Sequence, residues 1–140
     1  MYKLIIKGRL PSLNEFILAD RTSKYESNNM KKQAQELIIW QIKQQLSGMK
    51  IENSVFIQFR WFVKNKKTDP DNISSLGRKF ILDSLVKCGV LRNDGYNNII
   101  GFADLFDVDK DNPRVELLIT PGEEHWDRPM GILLRGGVGL

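Results

Sequence analysis

The centre of the chain reads Val55-Phe56-Ile57-Gln58-Phe59-Arg60-Trp61-Phe62-Val63, an aromatic and β-branched run that is polar only at Gln58 and Arg60. Aromatic and β-branched side chains favour extended structure. A run that is apolar at almost every position is typical of a strand covered on both faces. We therefore predict a largely buried central strand over residues 55–63.

The segments on either side of this strand predict an α+β fold with the order βαβαββ. Apolar residues return at helical spacing from about 28 to 46, and a second helix precedes Gly89. β-forming residues bounded by turn residues predict three further strands, over 2–7, 99–108 and 114–120. Residues 8–27 are expected to form a structured loop. The result is a small mixed sheet packed with two main helices.

The length of the chain fits one domain. Its 140 residues, 41% hydrophobic and 27% charged, have the composition of a soluble globular protein. We assign the domain to residues 1–121. The segment 122–140 is rich in glycine and lacks a sustained period, so we expect a loosely ordered tail.

Charge and cysteine content exclude several classes of protein. The net charge of +4 is compatible with a polyanionic partner. Cys88 is the single cysteine, which excludes an internal disulfide framework, and we interpret it as a small core residue. No apolar stretch approaches the roughly 20 residues of a membrane helix, and the N-terminus lacks a signal-peptide pattern. We therefore expect a cytoplasmic protein with no membrane partner.

Two carboxylates follow the central strand, in Lys66-Lys67-Thr68-Asp69-Pro70-Asp71-Asn72. In an extended segment Asp69 and Asp71 point the same way, and a proline favours that geometry for the residue before it. A hard cation such as Mg²⁺ offsets the repulsion between two close carboxylates. The alternative is that Asp71 or Asn72 only caps the following helix and Asp69 is a solvated turn residue.

A third carboxylate, Asp94, lies in the turn Arg92-Asn93-Asp94-Gly95 beyond that helix. A helix of about 16 residues is about 24 Å long, so Asp94 approaches the first pair only if the chain folds back. Asp followed by Gly is also an ordinary signature of a tight turn.

The ordered set of these motifs resembles the RusA family of Holliday junction resolvases. The set comprises Asp-x-Asp-Asn opening a helix, Lys79-x-x-x-Asp83-x-Leu85 within it, and the acidic turn that contains Asp94. Gly8-x-x-Pro11-Ser12-x-Asn14 is similar to the loop that follows the family's first strand. The resemblance covers residues 2 to 120, roughly, and keeps the order of the elements.

The resemblance implies a homodimeric crossover junction endodeoxyribonuclease that cleaves four-way DNA junctions during recombination or repair. It implies a RusA-like fold, Mg²⁺ as cofactor with Mn²⁺ as a possible substitute, and Asp69, Asp71 and Asp94 as the catalytic metal ligands. A metal ion activates water and neutralises charge on the leaving oxygen, and aspartates suit hard cations. The small size suits a phage or prophage origin.

The family has an essential lysine one helical turn after the second aspartate, and this sequence departs from that pattern. Counted forward from Asp71 the position holds Ser75, and counted backward from Asp83 it holds Lys79. We assign the catalytic role to Lys79, with Arg78 as an alternative because it faces nearly the same way as Asp71 on an ideal helix. Lys79 can instead simply pair with Asp83 at i+4.

Basic and polar residues near the acidic pair are the candidate DNA contacts. They are Lys64, Lys66, Lys67, Arg78 and, from the matched loop, Asn14, with Lys31 and Lys32 near the start of the first predicted helix as further candidates. Cations beside an acidic metal site allow a polyanion to approach it. A lysine run in a loop is equally often merely solvated.

Two other classes of function remain open. One is a non-catalytic dimer that binds DNA junctions and retains the fold without cleavage, which the displaced lysine keeps open. The other is a small metal-stabilised protein with no nucleic acid partner.

Overall fold

The structure is a computed structural model that describes residues 1–122. Four strands and three helices form a mixed α+β fold within that part of the chain. The elements are β1 (Tyr2–Lys7), α1 (Leu13–Thr22), α2 (Lys24–Gln45), β2 (Val55–Val63), α3 (Pro70–Lys87), β3 (Ile99–Val108) and β4 (Arg114–Pro121). The predicted tail, with His125 and Trp126, lies outside the described residues apart from its first position.

The four strands form one mixed sheet in the order β1-β4-β2-β3. β2 pairs with β3 in parallel and with β4 in antiparallel fashion, and β1 pairs with β4 in antiparallel fashion. The strand at 55–63 is therefore central, as the sequence predicts. Alternate β2 residues are fully buried against the helices, among them Ile57 and Phe59 at 0% exposure.

The segment between β1 and α2 contains a helix that the sequence interpretation missed. Residues 8–27 were expected to be a loop, yet α1 occupies Leu13–Thr22 and α2 begins at Lys24 rather than near residue 28. Ser12 caps α1: its Oγ accepts from the Glu15 backbone N–H at 3.3 Å, while the Glu15 carboxylate accepts from the Ser12 backbone N–H at 3.1 Å. Ser-x-x-Glu is a helix-start signal in its own right, so the two-helix expectation is corrected to three helices.

The free edge of β1 is closed by glutamines of α2. Gln41 exchanges hydrogen bonds with the backbone of Lys7 at 2.6 and 3.0 Å, and Gln45 does so with Ile5 at 2.8 and 2.6 Å. An edge strand exposes unpaired backbone groups, and side-chain amides can satisfy them. These contacts fix α2 beside the sheet and leave β3 as the other edge.

The close approach of α3 to the sheet depends on Gly77. A Cβ atom built at Gly77 would lie 2.8 Å from Cζ3 of Trp61. Trp61 has little freedom to move, because it is 2% exposed, stacks on Phe59 at 5.7 Å and donates from Nε1 to Asp104 at 2.9 Å. The residue at position 77 therefore sets how closely α3 packs on β2.

We predict that Gly77→Ala destabilises the fold by about 1 kcal/mol, because overpacking costs about 2 kcal/mol in the middle of its usual range and the better helix propensity of alanine offsets about 1 kcal/mol. Urea denaturation measures the change. Gly95→Ala is the matched control, since its Cβ would approach no atom closer than 3.6 Å. Equal midpoints for the two variants would show that the Trp61 contact does not limit packing.

Candidate functional site

The acidic pair lies at the N-terminus of α3. Asp69 is the N-cap residue by backbone geometry and Pro70 occupies the first turn, but the Asp69 side chain makes no capping hydrogen bond. The alternative that Asp71 or Asn72 caps the helix is therefore wrong. The exposed carboxylates of Asp69 and Asp71 form no hydrogen bond or ion pair within residues 1–122. Two carboxylates are thus free for an external ligand.

The start of α1 lies against the first turn of α3. The backbone N–H of Asn14 donates to Oδ1 of Asn72 at 2.8 Å. This contact brings the loop motif after β1 next to the acidic pair, and the Asn14 residue is exposed there. The role of the Asn14 side chain as a DNA contact stays a prediction, but its place beside Asp71 suits that role.

Asp94 folds back onto α3 and meets Lys79. The Nζ atom of Lys79 lies 3.0 Å from Oδ1 of Asp83 and 3.4 Å from Oδ2 of Asp94. The hydrogen bond to Asp83 is the main cause that raises the pKa of Lys79. Partial burial lowers that pKa, and the charges of Asp83 and Asp94 raise it further. Lys79 is therefore a firmly protonated cation, 62% exposed, between two carboxylates.

The cluster of Lys79, Asp83 and Asp94 is separated from the acidic pair along the helix. Lys79 follows Asp71 by eight positions, which corresponds to about 12 Å of rise. Within residues 1–122, the structure contains no group of three or more carboxylate, histidine or cysteine side chains arranged around one point. The structure thus brings Asp94 to α3, but not Asp69, Asp71 and Asp94 into a single cluster.

Arg78 faces a different direction from Lys79. Its guanidinium is paired with the Asp104 carboxylate and lies 4.3 Å from the centre of the Phe102 ring. Asp104 also accepts from Trp61, so it joins α3 to strands β2 and β3. The side chains of Arg78 and Asp104 are only 20% and 19% exposed. These contacts give Arg78 a structural role, and its predicted contact with phosphate stays a prediction.

A cavity of about 290 Å³ lies beside the acidic pair, between the loop after β1 and the end of β2. Its walls combine apolar side chains with cations, and they include Arg9, Trp61, Lys64, Lys67 and Thr68. Arg9 is paired with Glu15, whereas Lys64, Lys66 and Lys67 form no ion pair in the described part of the chain. The surface next to Asp69 is therefore basic, with three uncompensated ammonium groups.

The chemistry of these donors fits a magnesium ion. Mg²⁺ keeps several waters and is commonly bound through one or two carboxylates. The prediction that both aspartates lie in one extended segment is wrong, because Asp69 is extended whereas Asp71 lies inside α3. Both side chains are exposed oxygen donors with no ion pair among residues 1–122, so their number and type suit Mg²⁺. Asp94 would have to give up its contact with Lys79 to become a third ligand.

The cavity wall and the Asp104 contacts were not found by sequence reasoning. Arg9, Thr68 and Asp104 belong to separate segments of the chain, and no local pattern connects them. Gly77 was the one available signal, because a glycine inside a helical pattern marks a close approach to a neighbouring element.

The interpretation of Cys88 as a small core residue agrees with the structure. Cys88 packs against the core, and burial raises the pKa of its thiol.

The comparisons with known proteins do not identify the chain. No protein-family model and no curated protein matches it. The periplasmic domain of Helicobacter pylori MotB (residues 97–256) is similar at 17% identity over 96% of this chain and 92% of that chain, with a TM-score of 0.34. A likeness of that size carries no argument about function. None of the helices in residues 1–122 has the length and hydropathy needed to cross a bilayer.

We predict different effects on stability for the two neighbouring cations of α3. Arg78→Gln should lower the free energy of unfolding by about 2 kcal/mol, because it leaves the mostly buried Asp104 carboxylate without its cation. Lys79→Gln removes two ion pairs of an exposed ammonium group, with Asp83 and Asp94, and should cost about 1 kcal/mol or less. Chemical denaturation of both variants tests this, and a larger loss for Lys79→Gln would contradict the structural assignment of Arg78.

Proposed function

We propose that this protein is a Mg²⁺-dependent endonuclease that cleaves four-way DNA junctions. The observation that carries the proposal is the contact between Lys79 and Asp94. It supports the motif-based resemblance because the acidic turn after α3 must fold back along the helix if it is to serve the same site as Asp69 and Asp71.

Each of these residues has a separate role in the proposed cleavage reaction. Asp69 and Asp71 hold the metal ion, with Asp94 as the third acidic residue. The ion, when bound, supplies an activated water and neutralises charge on the leaving oxygen. Lys79, which is oriented by its hydrogen bond to Asp83, stabilises negative charge that develops on the phosphate.

The basic surface beside the acidic pair supports approach of a DNA strand. Lys64, Lys66 and Lys67 are exposed, and their ammonium groups are not neutralised by carboxylates of residues 1–122. Three such cations reduce the repulsion that the Asp69 and Asp71 carboxylates exert on phosphate. A DNA strand can therefore approach the carboxylates, because the lysines that attract it are not already held in ion pairs within residues 1–122.

A homodimer is part of the proposal. Resolving a junction requires two symmetry-related incisions, and each chain contributes one acidic pair, so a C₂ dimer places two sites on opposite arms. The β3 edge supports such a contact, since it exposes Phe102, Phe106 and Val108 at 47%, 39% and 40%. Exposed apolar residues on an edge strand are typical of an interaction surface.

A second candidate function is non-catalytic binding of DNA junctions. Two observations favour it: Lys79 already pairs with Asp94, and Asp69, Asp71 and Asp94 do not form one cluster in the described part of the chain. On this alternative, the basic surface binds DNA and the carboxylates have no catalytic role.

We predict that Asp71→Asn lowers cleavage of a synthetic four-way junction at least 100-fold, an effect of the size expected when a charge-stabilising group is lost. Binding of the junction should be equal or tighter, because a negative charge that faces phosphate is removed. Gel assays of nicking in Mg²⁺ and of binding in its absence measure the two effects separately.

Asp111→Asn is the matched control, since Asp111 is exposed on the turn between β3 and β4 and should retain full activity. In a mixed dimer with one Asp71→Asn protomer, only one of the two strands should be nicked. Salt-sensitive binding by the wild-type protein without any cleavage would instead favour the non-catalytic alternative.

A further inference from the structure

The cavity of about 290 Å³ beside the acidic pair is part of the turn that carries the carboxylates. Thr68 directly precedes Asp69, Ile73 lies in the first turn of α3, and both Thr68 and Ile73 line the cavity. A group bound there would therefore lie next to Asp69. The volume is at the lower end of the range for small-molecule sites, about 300–1,000 Å³. It suits one ring system with its substituents rather than a segment of duplex.

The interior of this cavity is largely apolar. Its apolar side chains come from four separate segments of the chain, and they include Leu10, Trp61, Val63, Ile73 and Val115. An apolar enclosure disfavours a charged group and favours a flat, weakly polar one such as an aromatic heterocycle. The inner part of the occupant is therefore expected to be a ring and not an ion.

One wall of the cavity presents a guanidinium group in a fixed position. Arg114 lies over the Phe62 ring, 3.8 Å from its centre, and both residues line the cavity. Its Nε and Nη1 atoms donate to Glu116 and Asp109, each at 2.7 Å. The N–H donors of Nη2 have no acceptor within residues 1–122. Guanidinium planes stack on nucleic acid bases, and each base presents hydrogen-bond acceptors, so Arg114 can serve a base and keep its present partners.

The free cations of this cavity are exposed side chains of its wall. Lys64 and Lys67 form no ion pair within the described residues, whereas Arg9 is neutralised by Glu15. Positive charge at the exposed edge favours an anion there. A nucleotide combines the two properties, because its phosphate is anionic and its base is a flat heterocycle.

Contacts within the chain hold the cavity open. Gly8 has a φ of +101°, which favours glycine, and its backbone N–H donates to the carbonyl of Pro113 at 3.1 Å. This bond joins the loop after β1 to the turn before β4. The capping box of Ser12 and Glu15 fixes the other end of the same loop. A preformed site loses less conformational entropy when a ligand binds.

We propose that this cavity binds the base of a nucleotide whose phosphate lies at Lys64 and Lys67, and that the nucleotide belongs to the DNA strand beside the bond that is cleaved. The DNA assignment rests on the proposed function, whereas the nucleotide site rests on the cavity and its walls alone. Extruding a base is least costly where pairing is already interrupted, as at the centre of a four-way junction. A base held in the cavity would place the neighbouring phosphate at Asp69 and Asp71.

Nucleoside monophosphates test the site without any cleavage. In ¹⁵N-edited NMR spectra of the full chain without Mg²⁺, dCMP or dAMP should shift the backbone amide signals of Gly8, Leu10 and Val63 saturably. Deoxyribose 5-phosphate, which lacks the base, should shift only the signals around Lys64 and Lys67. Equal shifts with and without the base, or no shift at the first three residues, would overturn the site.

Val63→Phe tests the same site by filling the cavity. It should abolish the shifts that depend on the base and retain those caused by deoxyribose 5-phosphate. Leu18→Phe is the matched control, because it adds the same ring at a position that is 66% exposed and outside the cavity. If Val63→Phe lowers the Tm so far that it does not fold, Leu10→Phe fills the cavity from the loop after β1. Unchanged binding of the base by a folded variant of this kind would contradict the proposal.

Junctions that carry 2-aminopurine, at one position around the crossover at a time, distinguish DNA from a free nucleotide as the occupant. Stacking on neighbouring bases quenches this fluorophore, so a base that leaves the stack emits more light. Without Mg²⁺, wild type and Asp71→Asn should raise the emission about threefold at one position. Val63→Phe should give no rise and bind the junction about fivefold more weakly.

The two assignments fail in different ways. If nucleotides bind in the cavity but 2-aminopurine brightens at no position, the DNA assignment is wrong. Cleavage in Mg²⁺ is a separate measurement. Absence of cleavage together with base-dependent shifts and a brightened position would reject the nuclease proposal and leave the nucleotide site in place.

Discussion

The contact between Trp61 and the backbone of α3 at Gly77 is the constraint on which the arrangement of the site depends. Because no side chain intervenes, α3 packs closely on β2, and a Cβ at Gly77 would lie 2.8 Å from the indole. The same indole donates to Asp104, whose carboxylate also holds Arg78. One tryptophan therefore fixes both the distance of α3 from the sheet and its position relative to β3. The acidic pair and Lys79 extend from a helix that is fixed in this way.

Local sequence signals predicted the sheet better than the helices. The run at 55–63 was recognised as the central strand because its apolar composition directly reflects burial on both faces. The helix α1 was missed although Ser12 and Glu15 form a capping box, because Pro11 and Asn14 also fit a loop. The N-cap of α3 was placed at Asp71 or Asn72, but Pro70 is favoured in the first turn of a helix and puts the cap at Asp69.

The candidate site was predictable only where its residues are neighbours in sequence. Asp69 and Asp71 were found from their spacing, whereas the return of Asp94 to Lys79 depends on how the chain leaves α3. The pairing of Arg78 with Asp104 joins positions 26 apart, and that of Gln35 with Lys87 joins positions 52 apart. Such contacts follow from helix packing, so no local motif indicates them. This is why Arg78 was predicted to contact phosphate although its guanidinium pairs with Asp104.

The central claim is that Asp69 and Asp71 hold a divalent metal ion, and Mn²⁺ tests it most directly because its paramagnetism broadens NMR signals of nearby nuclei. At substoichiometric Mn²⁺, the account predicts selective broadening of the backbone amides around positions 69–72, with weaker effects near Lys79 and Asp94. Asp71→Asn should abolish that pattern, and excess Mg²⁺ should reverse it. Broadening centred elsewhere, such as on the carboxylates of the turn after β3, or no localised broadening at all, would contradict the account.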